Sequence, residues 1–110
     1  MSFIKIVIYS THTGKVPFSD WEDRLDTKTQ AIIAGRLDRI RLGNFGDSKP
    51  IKGGQGVKEL RIDYGPGYRV YYGMQGTTVV VLLVGGDKGT QSRDVEKAKR
   101  YWSEYKEELS

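Results

Sequence analysis

"GVKELRIDYGPGYRVYYG", residues 56–73, predicts two β-strands joined by a glycine-proline-glycine turn. Apolar and polar side chains alternate on both sides of the turn, as they do in an antiparallel hairpin with one buried face. We expect Tyr64 to lie opposite Tyr68, and both hairpin arginines to lie on a solvent-exposed surface. The register gives an apolar face of Leu60, Ile62, Val70 and Tyr72, and a charged face of Glu59, Arg61, Arg69 and Tyr71.

A strand and two helices are predicted before the hairpin. "FIKIVIY" (3–9) places isoleucine at every second position, which indicates a strand. Pro17 suits the first turn of a helix in "PFSDWEDRL". Thr27 and Gln30 have the spacing of a capping box, and the helix that they open should end near Gly43.

Two apolar elements are predicted after the hairpin. "TTVVVLLV" (77–84) is a continuous aliphatic run, typical of a central strand that is covered on both faces. Residues 91–109 place apolar side chains three and four apart, which predicts an amphipathic helix with Ser92 as its N-cap. The predicted order is β-α-α-β-β-β-α. This is an α+β fold with helices packed on a mostly antiparallel four-stranded sheet.

Composition limits the kinds of protein that this chain can be. Its 110 residues show no repeat or linker, so we expect one domain over residues 1–110. The absence of cysteine excludes a disulfide framework and a thiolate metal site. The N-terminal apolar run is too short for a signal peptide or a membrane span, and we expect a cytoplasmic protein. The net charge of +4 favours nucleic acid or an acidic protein as a partner.

Two stretches of the chain are similar to a known toxin family. They are "KPIKGGQGVKELRIDYGPGYRVYY" (49–72) and "LLVGGDKGTQSRDVEKAKRYW" (82–102). In this order they resemble the RelE/ParE toxin superfamily, in particular the HigB-like branch known as addiction-module killer proteins. The resemblance extends over nearly the whole chain.

The resemblance implies a toxin of a type II toxin-antitoxin system, with an antitoxin of the helix-turn-helix type as its partner. RelE-type members cut mRNA on the ribosome, whereas ParE-type members poison DNA gyrase without cleaving RNA. A phage-derived relative without toxicity is a third alternative. We predict a ribosome-dependent endoribonuclease without a small-molecule cofactor. We also expect it to use no metal, because no group of His, Asp and Glu residues has the spacing of a metal site.

The resemblance assigns the reaction first to Arg69, which matches the arginine that RelE-type nucleases place on the scissile phosphate. Attack by a ribose 2′-OH builds negative charge on phosphorus, and a planar guanidinium can pair with two of its oxygens. Arg61 lies beside it on the same predicted face. For both arginines the structural alternative is an ion pair with Glu59, or with Asp63 in the case of Arg69.

Glu59 and Lys88 complete the predicted catalytic set. RelE carries lysines at the positions of Val57 and Glu59, so this departure weakens the nuclease prediction. Some relatives use glutamate as a general base, but a carboxylate among cations has a lowered pKa and is a weak base. Lys88 follows the central strand on a glycine-flanked loop, where relatives place an arginine or histidine near the phosphate.

The remaining predicted contacts are to RNA. Gln91 follows Lys88 and is expected to face the phosphate, and Tyr71 could stack on a base. His12 is the only histidine and lies far from the hairpin in sequence, so we do not expect it in the reaction. Three lysines are expected to attract the RNA backbone, namely Lys49, Lys52 and Lys58.

Overall fold

The structure is a computed structural model that describes residues 3–110, which form one five-stranded sheet and three α-helices. The strands are β1 (Lys5–Ile8), β2 (Ser48–Pro50), β3 (Lys58–Ile62), β4 (Tyr68–Gln75) and β5 (Val79–Asp87). The helices are α1 (Pro17–Glu22), α2 (Thr27–Arg41) and α3 (Gln91–Leu109), and a 3₁₀ turn (Lys88–Thr90) joins β5 to α3. The mixed α+β class is confirmed.

The predicted number of strands is wrong, because the sheet has five strands in the order β1-β5-β4-β3-β2. The pair β1–β5 is parallel and the other three pairs are antiparallel, so the mostly antiparallel character holds. The additional strand is β2, which spans three residues at the sheet edge and ends in Pro50. A strand this short, with a residue that has no N–H, carries no alternating signal in the sequence.

The register of the β3–β4 hairpin differs from the prediction by two residues. Ile62 lies opposite Tyr68, and Leu60 lies opposite Val70, whereas Tyr64 belongs to the turn. A shift by an even number keeps every side chain on its predicted face, since side chains alternate with a period of two. The two predicted faces of the hairpin are therefore confirmed although the register is not.

A hydrophobic cluster covers each face of the sheet. The cluster on the side of α1 and α2 contains Phe18, Ile33, Leu37, Ile40, Leu60, Ile62, Val70, Tyr72, Val80 and Leu82. The cluster on the side of α3 contains Tyr9, Val57, Tyr71, Val81, Leu83, Val84, Ala98 and Trp102. The Trp102 ring lies so close to Gly73 that a Cβ there would collide with it. The predicted packing of the last helix is confirmed, except that Leu109 is exposed.

Both predicted helix caps are displaced. Asp26 is the N-cap of α2 and accepts a hydrogen bond from the Thr29 amide at 3.0 Å, which places Thr27 inside the helix. The 3₁₀ turn before α3 is capped by the side chain of Asp87, so Ser92 lies inside the first turn of α3. At α2 an aspartate, whose carboxylate accepts strongly from backbone N–H groups, takes the place of the predicted hydroxyl. The N-cap of α3 itself is Thr90, whose side chain makes no capping hydrogen bond.

Candidate active site

A cleft of about 280 Å³ opens at one end of the sheet, where β3 ends, β4 begins and the 3₁₀ turn follows β5. Three predicted site residues line it from three separate segments: Arg61 from β3, Arg69 from β4 and Lys88 from the 3₁₀ turn. Its other lining residues are Asp47, Ile62, Asp63, Gly67 and Tyr68. The fold thus brings together cations that are up to 27 positions apart in the sequence, the separation of Arg61 and Lys88.

A carboxylate beneath the cleft holds the two arginines together. Arg61 and Arg69 are directly opposite in the β3–β4 register, and Glu59 lies two residues before Arg61 on the same face. One oxygen of Glu59, Oε1, accepts from Arg61 Nε at 2.8 Å and also from Arg69 Nη1. The other oxygen, Oε2, accepts from Gln91 Nε2 at 3.1 Å. Glu59 therefore joins β3, β4 and α3 in one network.

This network passes from the protein interior to solvent. The Glu59 side chain is 3% exposed, that of Arg69 is 12% exposed and that of Arg61 is 38% exposed. The expectation that both arginines lie on a solvated sheet surface is wrong for Arg69, because α3 covers this side of the sheet. Both arginines line the cleft, and Arg61 is the more exposed of the two.

The hydrogen bonds to Glu59 control its protonation. Burial by itself would raise the pKa of this carboxyl, since it disfavours the charged form. The donors Arg61, Arg69 and Gln91, together with the charge of Arg69, outweigh burial and lower the pKa below its ordinary value. An ionised carboxylate with both oxygens occupied is a poor proton acceptor, which opposes a role as general base.

Lys88 lines the cleft from the 3₁₀ turn, which is capped by the side chain of Asp87. The Asp87 carboxylate accepts from the amides of Gly89 and Thr90 at 2.8 and 3.2 Å, which fixes the turn directly after β5. A Cβ built on Gly67 would lie 3.7 Å from the Cβ of Lys88, so the turn of the hairpin packs against the base of this side chain. Lys88 itself is exposed and borders the opening of the cleft.

The three lysines predicted to attract RNA do not line the cleft. Lys49 lies on the edge strand β2, opposite Glu59 in the register, and Lys58 is at the start of β3. Both border a separate groove of about 410 Å³ beside Phe45 and Tyr72. Lys52 is exposed in the loop after β2. These lysines form a basic margin beside the sheet rather than part of the candidate site.

Tyr71 and His12 do not reach the cleft either. Tyr71 is completely buried beneath α3, so the proposed stacking of its ring on a base has no exposed surface to use. Its hydroxyl has no hydrogen-bond partner within residues 3–110, and burial raises the pKa of this phenol above its ordinary value. His12 lies near the end of α3, beside Glu104, Glu107 and Glu108.

Arg36 supports the site, although the sequence analysis did not single it out. Its Nη1 donates to the main-chain oxygen of Arg61 at 2.8 Å, and the Arg61 amide donates to the Asp47 oxygen at 2.9 Å. Both main-chain polar groups of Arg61 are therefore hydrogen-bonded. Arg36 lies three residues after Ile33 and four before Ile40, beside the apolar stripe of α2, and this position is the signal in the sequence that could have revealed it.

Comparison with known proteins places the chain in a family. Residues 20–103 match the family model described as phage-derived protein Gp49-like, a span that contains Arg36 and every residue of the cleft. The chain belongs to this family. A protein of Haemophilus influenzae, named only as an uncharacterized protein, is 46% identical over 83 residues, which cover 74% of this chain and 82% of the relative.

The cleft of this Gp49-like protein is lined by three cations, Arg61, Arg69 and Lys88, and by two carboxylates, Asp47 and Asp63. Glu59 also pairs with both arginines, so the group as a whole balances three positive charges with three negative ones. Within residues 3–110 no group of three or more His, Asp or Glu side chains is arranged to hold a metal ion. In the same part of the chain, no helix has the length and apolar character needed to cross a membrane.

Proposed function

We propose that this Gp49-like protein is the toxin of a type II toxin-antitoxin system and cleaves mRNA on the ribosome. Gp49-like proteins are related to the toxins of addiction modules. The observation that carries the proposal is the convergence of Arg61, Arg69 and Lys88 on one cleft above the buried Glu59. The RelE/ParE resemblance of the hairpin sequence assigns the phosphate contact to Arg69, which is one of these three residues.

The proposed reaction is a transesterification at an RNA phosphate. The ribose 2′-OH gives its proton to a water molecule and attacks the adjacent phosphorus, and the bond from phosphorus to the 5′ oxygen breaks. The products are a 2′,3′-cyclic phosphate and a 5′-OH, whose oxygen takes its proton from water. Arg69 and Arg61 stabilise the negative charge on the phosphoryl oxygens, and Lys88 stabilises the charge on the leaving oxygen.

Glu59 acts in this proposal as a positioning residue rather than as the base. Its carboxylate fixes Arg69 through Nη1 and Arg61 through Nε, so both guanidinium groups are oriented before RNA arrives. Preorganised charge avoids reorganisation during the reaction, and this is the largest contribution that the cleft can make. Orientation of the RNA by the ribosome supplies the remainder.

The proposed partners follow from this role. The toxin binds mRNA within the ribosome, in the cytoplasm, and a cognate antitoxin of the helix-turn-helix type neutralises it. The net charge of +4 supports both interactions, because it attracts RNA and acidic protein surfaces alike. Co-expression with the neighbouring open reading frame tests the antitoxin. A stable complex is expected, and isolation of the chain from its native operon as a free monomer would contradict it.

The enzymatic proposal is tested by inducing the chain in bacterial cells. We expect translation to stop and new mRNA 5′ ends to appear within codons. Arg69→Ala should abolish both effects, whereas the exposed Arg39→Ala on α2 should retain them. Growth arrest with gyrase-linked DNA breaks and intact mRNA would instead support the gyrase-poison alternative. Normal growth with a folded, abundant protein would support a relative without toxicity.

A further inference from the structure

The second half of β5 has one unpaired edge. The parallel pairing with β1 ends where Ile8 lies opposite Leu82, and the last hydrogen bond runs from the Tyr9 amide to the Leu82 oxygen at 2.9 Å. From Val84 to Asp87, β4 pairs with β5 on one side. On the other side, no strand among residues 3–110 continues the ladder. An unpaired edge presents N–H and C=O groups that another chain can use.

This edge forms the floor of a groove of about 440 Å³ between α1 and α3. On both faces of the strand, other residues occupy the positions where side chains of Gly85 and Gly86 would lie. A Cβ at Gly85 would collide with the Trp21 ring, and a Cβ at Gly86 would collide with the Asp94 carboxylate. The two glycines therefore let α1 and α3 approach the strand closely. Both are largely buried, and because neither has a side chain, it is their main chain that lines the groove.

Cations surround the groove. Lys15 and Arg24 lie at the two ends of α1, and Arg93 and Lys97 lie on α3. Within residues 3–110 only Arg93 of these four is in an ion pair, at 3.9 Å from Asp94. Two of the three carboxylates in the groove have internal partners, since Asp87 caps the 3₁₀ turn and Asp94 accepts from the Thr90 hydroxyl; the third is Asp20. These hydrogen bonds do not remove the charge of the carboxylates, so the four cations exceed the three carboxylates by one, which favours an occupant of negative charge.

We propose that this groove binds an extended, acidic peptide segment of a partner protein, which adds a strand to the unpaired edge of β5. Main-chain hydrogen bonds to residues 84–87 would supply affinity, and acidic side chains alternating to either side would meet the cations of α1 and α3. The unpaired backbone edge favours a peptide over RNA, because RNA would use the cations alone. The groove shares no lining residue with the cleft of Arg61, Arg69 and Lys88, so the inference does not depend on the proposed nuclease activity.

The first test is an NMR titration of the ¹⁵N-labelled full chain with a short, end-capped peptide of alternating valine and glutamate. At millimolar peptide we expect saturable shifts confined to the amides of residues 84–87 and their neighbours in the groove. The same peptide with N-methyl groups on every residue keeps its charge but loses its amide donors, and it should produce none of these shifts. Equal binding of the methylated peptide would overturn strand addition.

A charge-reversal pair tests the electrostatic part. Arg24→Glu combined with Lys97→Glu should weaken peptide binding by about tenfold or more. Lys5→Glu combined with Arg39→Glu changes the net charge equally outside the groove and should leave binding within about twofold. If the first double variant does not fold, Lys97→Gln alone should still weaken binding measurably. An absence of any shift at millimolar peptide, or stronger shifts of the same amides with an oligouridylate, would overturn the proposal.

Discussion

The two faces of the β3–β4 hairpin contrast within the same ten paired residues. On one face, Leu60 and Val70 lie opposite each other in an entirely apolar cluster. On the other face, Arg61 lies opposite Arg69, and the buried Glu59 draws both arginines to one carboxylate. One face therefore stabilises the fold through burial of apolar surface, while the other holds charged side chains in fixed orientations beside a cleft.

The comparison shows how a buried apolar face and a buried, hydrogen-bonded carboxylate differ in what they contribute to a site. An apolar face is stabilised by removal of surface from water and tolerates similar shapes. A buried carboxylate is stable only while its donors remain in place, because an unpaired buried charge is very costly. The polar face is thus held in one arrangement by three donors, and this single arrangement is what makes its cations ready for a ligand.

The largest effect on stability is expected on the apolar face. Leu60 is completely buried, so Leu60→Ala should lower the free energy of unfolding by about 3–4 kcal/mol through lost burial and a cavity. Leu42→Ala is the matched control, since Leu42 is 67% exposed and should change stability by less than about 0.5 kcal/mol. Urea denaturation followed by fluorescence measures both. Equal values for the two variants would refute the distinction between them.

On the polar face, the largest effect is expected in activity. Arg69→Ala should reduce mRNA cleavage on programmed ribosomes by about 100- to 1000-fold, the usual loss when one charge-stabilising donor is removed. Arg69→Lys should recover only part of the rate, because an ammonium cannot form two parallel hydrogen bonds. Since Arg69 is largely buried, Arg69→Ala should also cost about 1–3 kcal/mol of stability. A folded Arg69→Ala protein with parental cleavage would refute the proposed site.

The sequence predicted the apolar face more completely than the polar one. Alternation from Leu60 to Tyr72 determines which side chains face the core, and an even register error leaves that result unchanged. The same pattern showed that Glu59, Arg61 and Arg69 share a face, but not that α3 buries Glu59 and supplies Gln91 as a third donor. Burial on that face depends on how α3, which is distant in the sequence, packs on the sheet. The spacing of residues within the hairpin does not predict this packing.

Three further features could not be predicted from local sequence patterns, each for a different physical reason. The strand β2 is too short to show periodicity, and its pairing depends on β3 being present. Tyr71 was expected at the surface, because a tyrosine suits both a solvated sheet face and a core. Arg36 belongs to the site only through the main chain of Arg61, a contact between positions 25 residues apart.

An intermediate effect is expected when the central carboxylate loses its charge. Glu59→Gln keeps the shape but weakens the hydrogen bonds to both arginines, so stability at neutral pH should fall by about 2 kcal/mol. The exposed Glu96→Gln on α3 should change it by less than about 0.5 kcal/mol. Cleavage by Glu59→Gln separates the two roles. A positioning carboxylate predicts a modest change in rate, whereas a general base predicts a loss of several orders of magnitude.

The pH dependence of stability tests the same carboxylate. The pKa of Glu59 is lower in the folded protein than its ordinary value of 4.5. Its contribution to stability is therefore fully present well above pH 4.5 and is lost as the pH falls below 4.5 through the folded-state pKa. The difference in stability between the parent chain and Glu59→Gln should shrink on acidification over this range. A difference that stays constant down to pH 2 would contradict the assignment of the lowered pKa to Glu59.

The smallest expected effect concerns the support of the polar face by α2. Arg36 donates from Nη1 to the Arg61 oxygen, while its Nη2 is buried without a partner within residues 3–110. Arg36→Met preserves the packing of the side chain and removes both the hydrogen bond and a desolvated charge, so these changes partly cancel. We expect a loss of only about 1 kcal/mol in stability, with cleavage reduced severalfold because the main chain of Arg61 is less restrained. Arg41→Met, on an exposed position of the same helix, should alter neither quantity. If Arg36→Met lowers stability but leaves the rate and its dependence on Arg61 unchanged, Arg36 supports the fold alone and does not position the cleft.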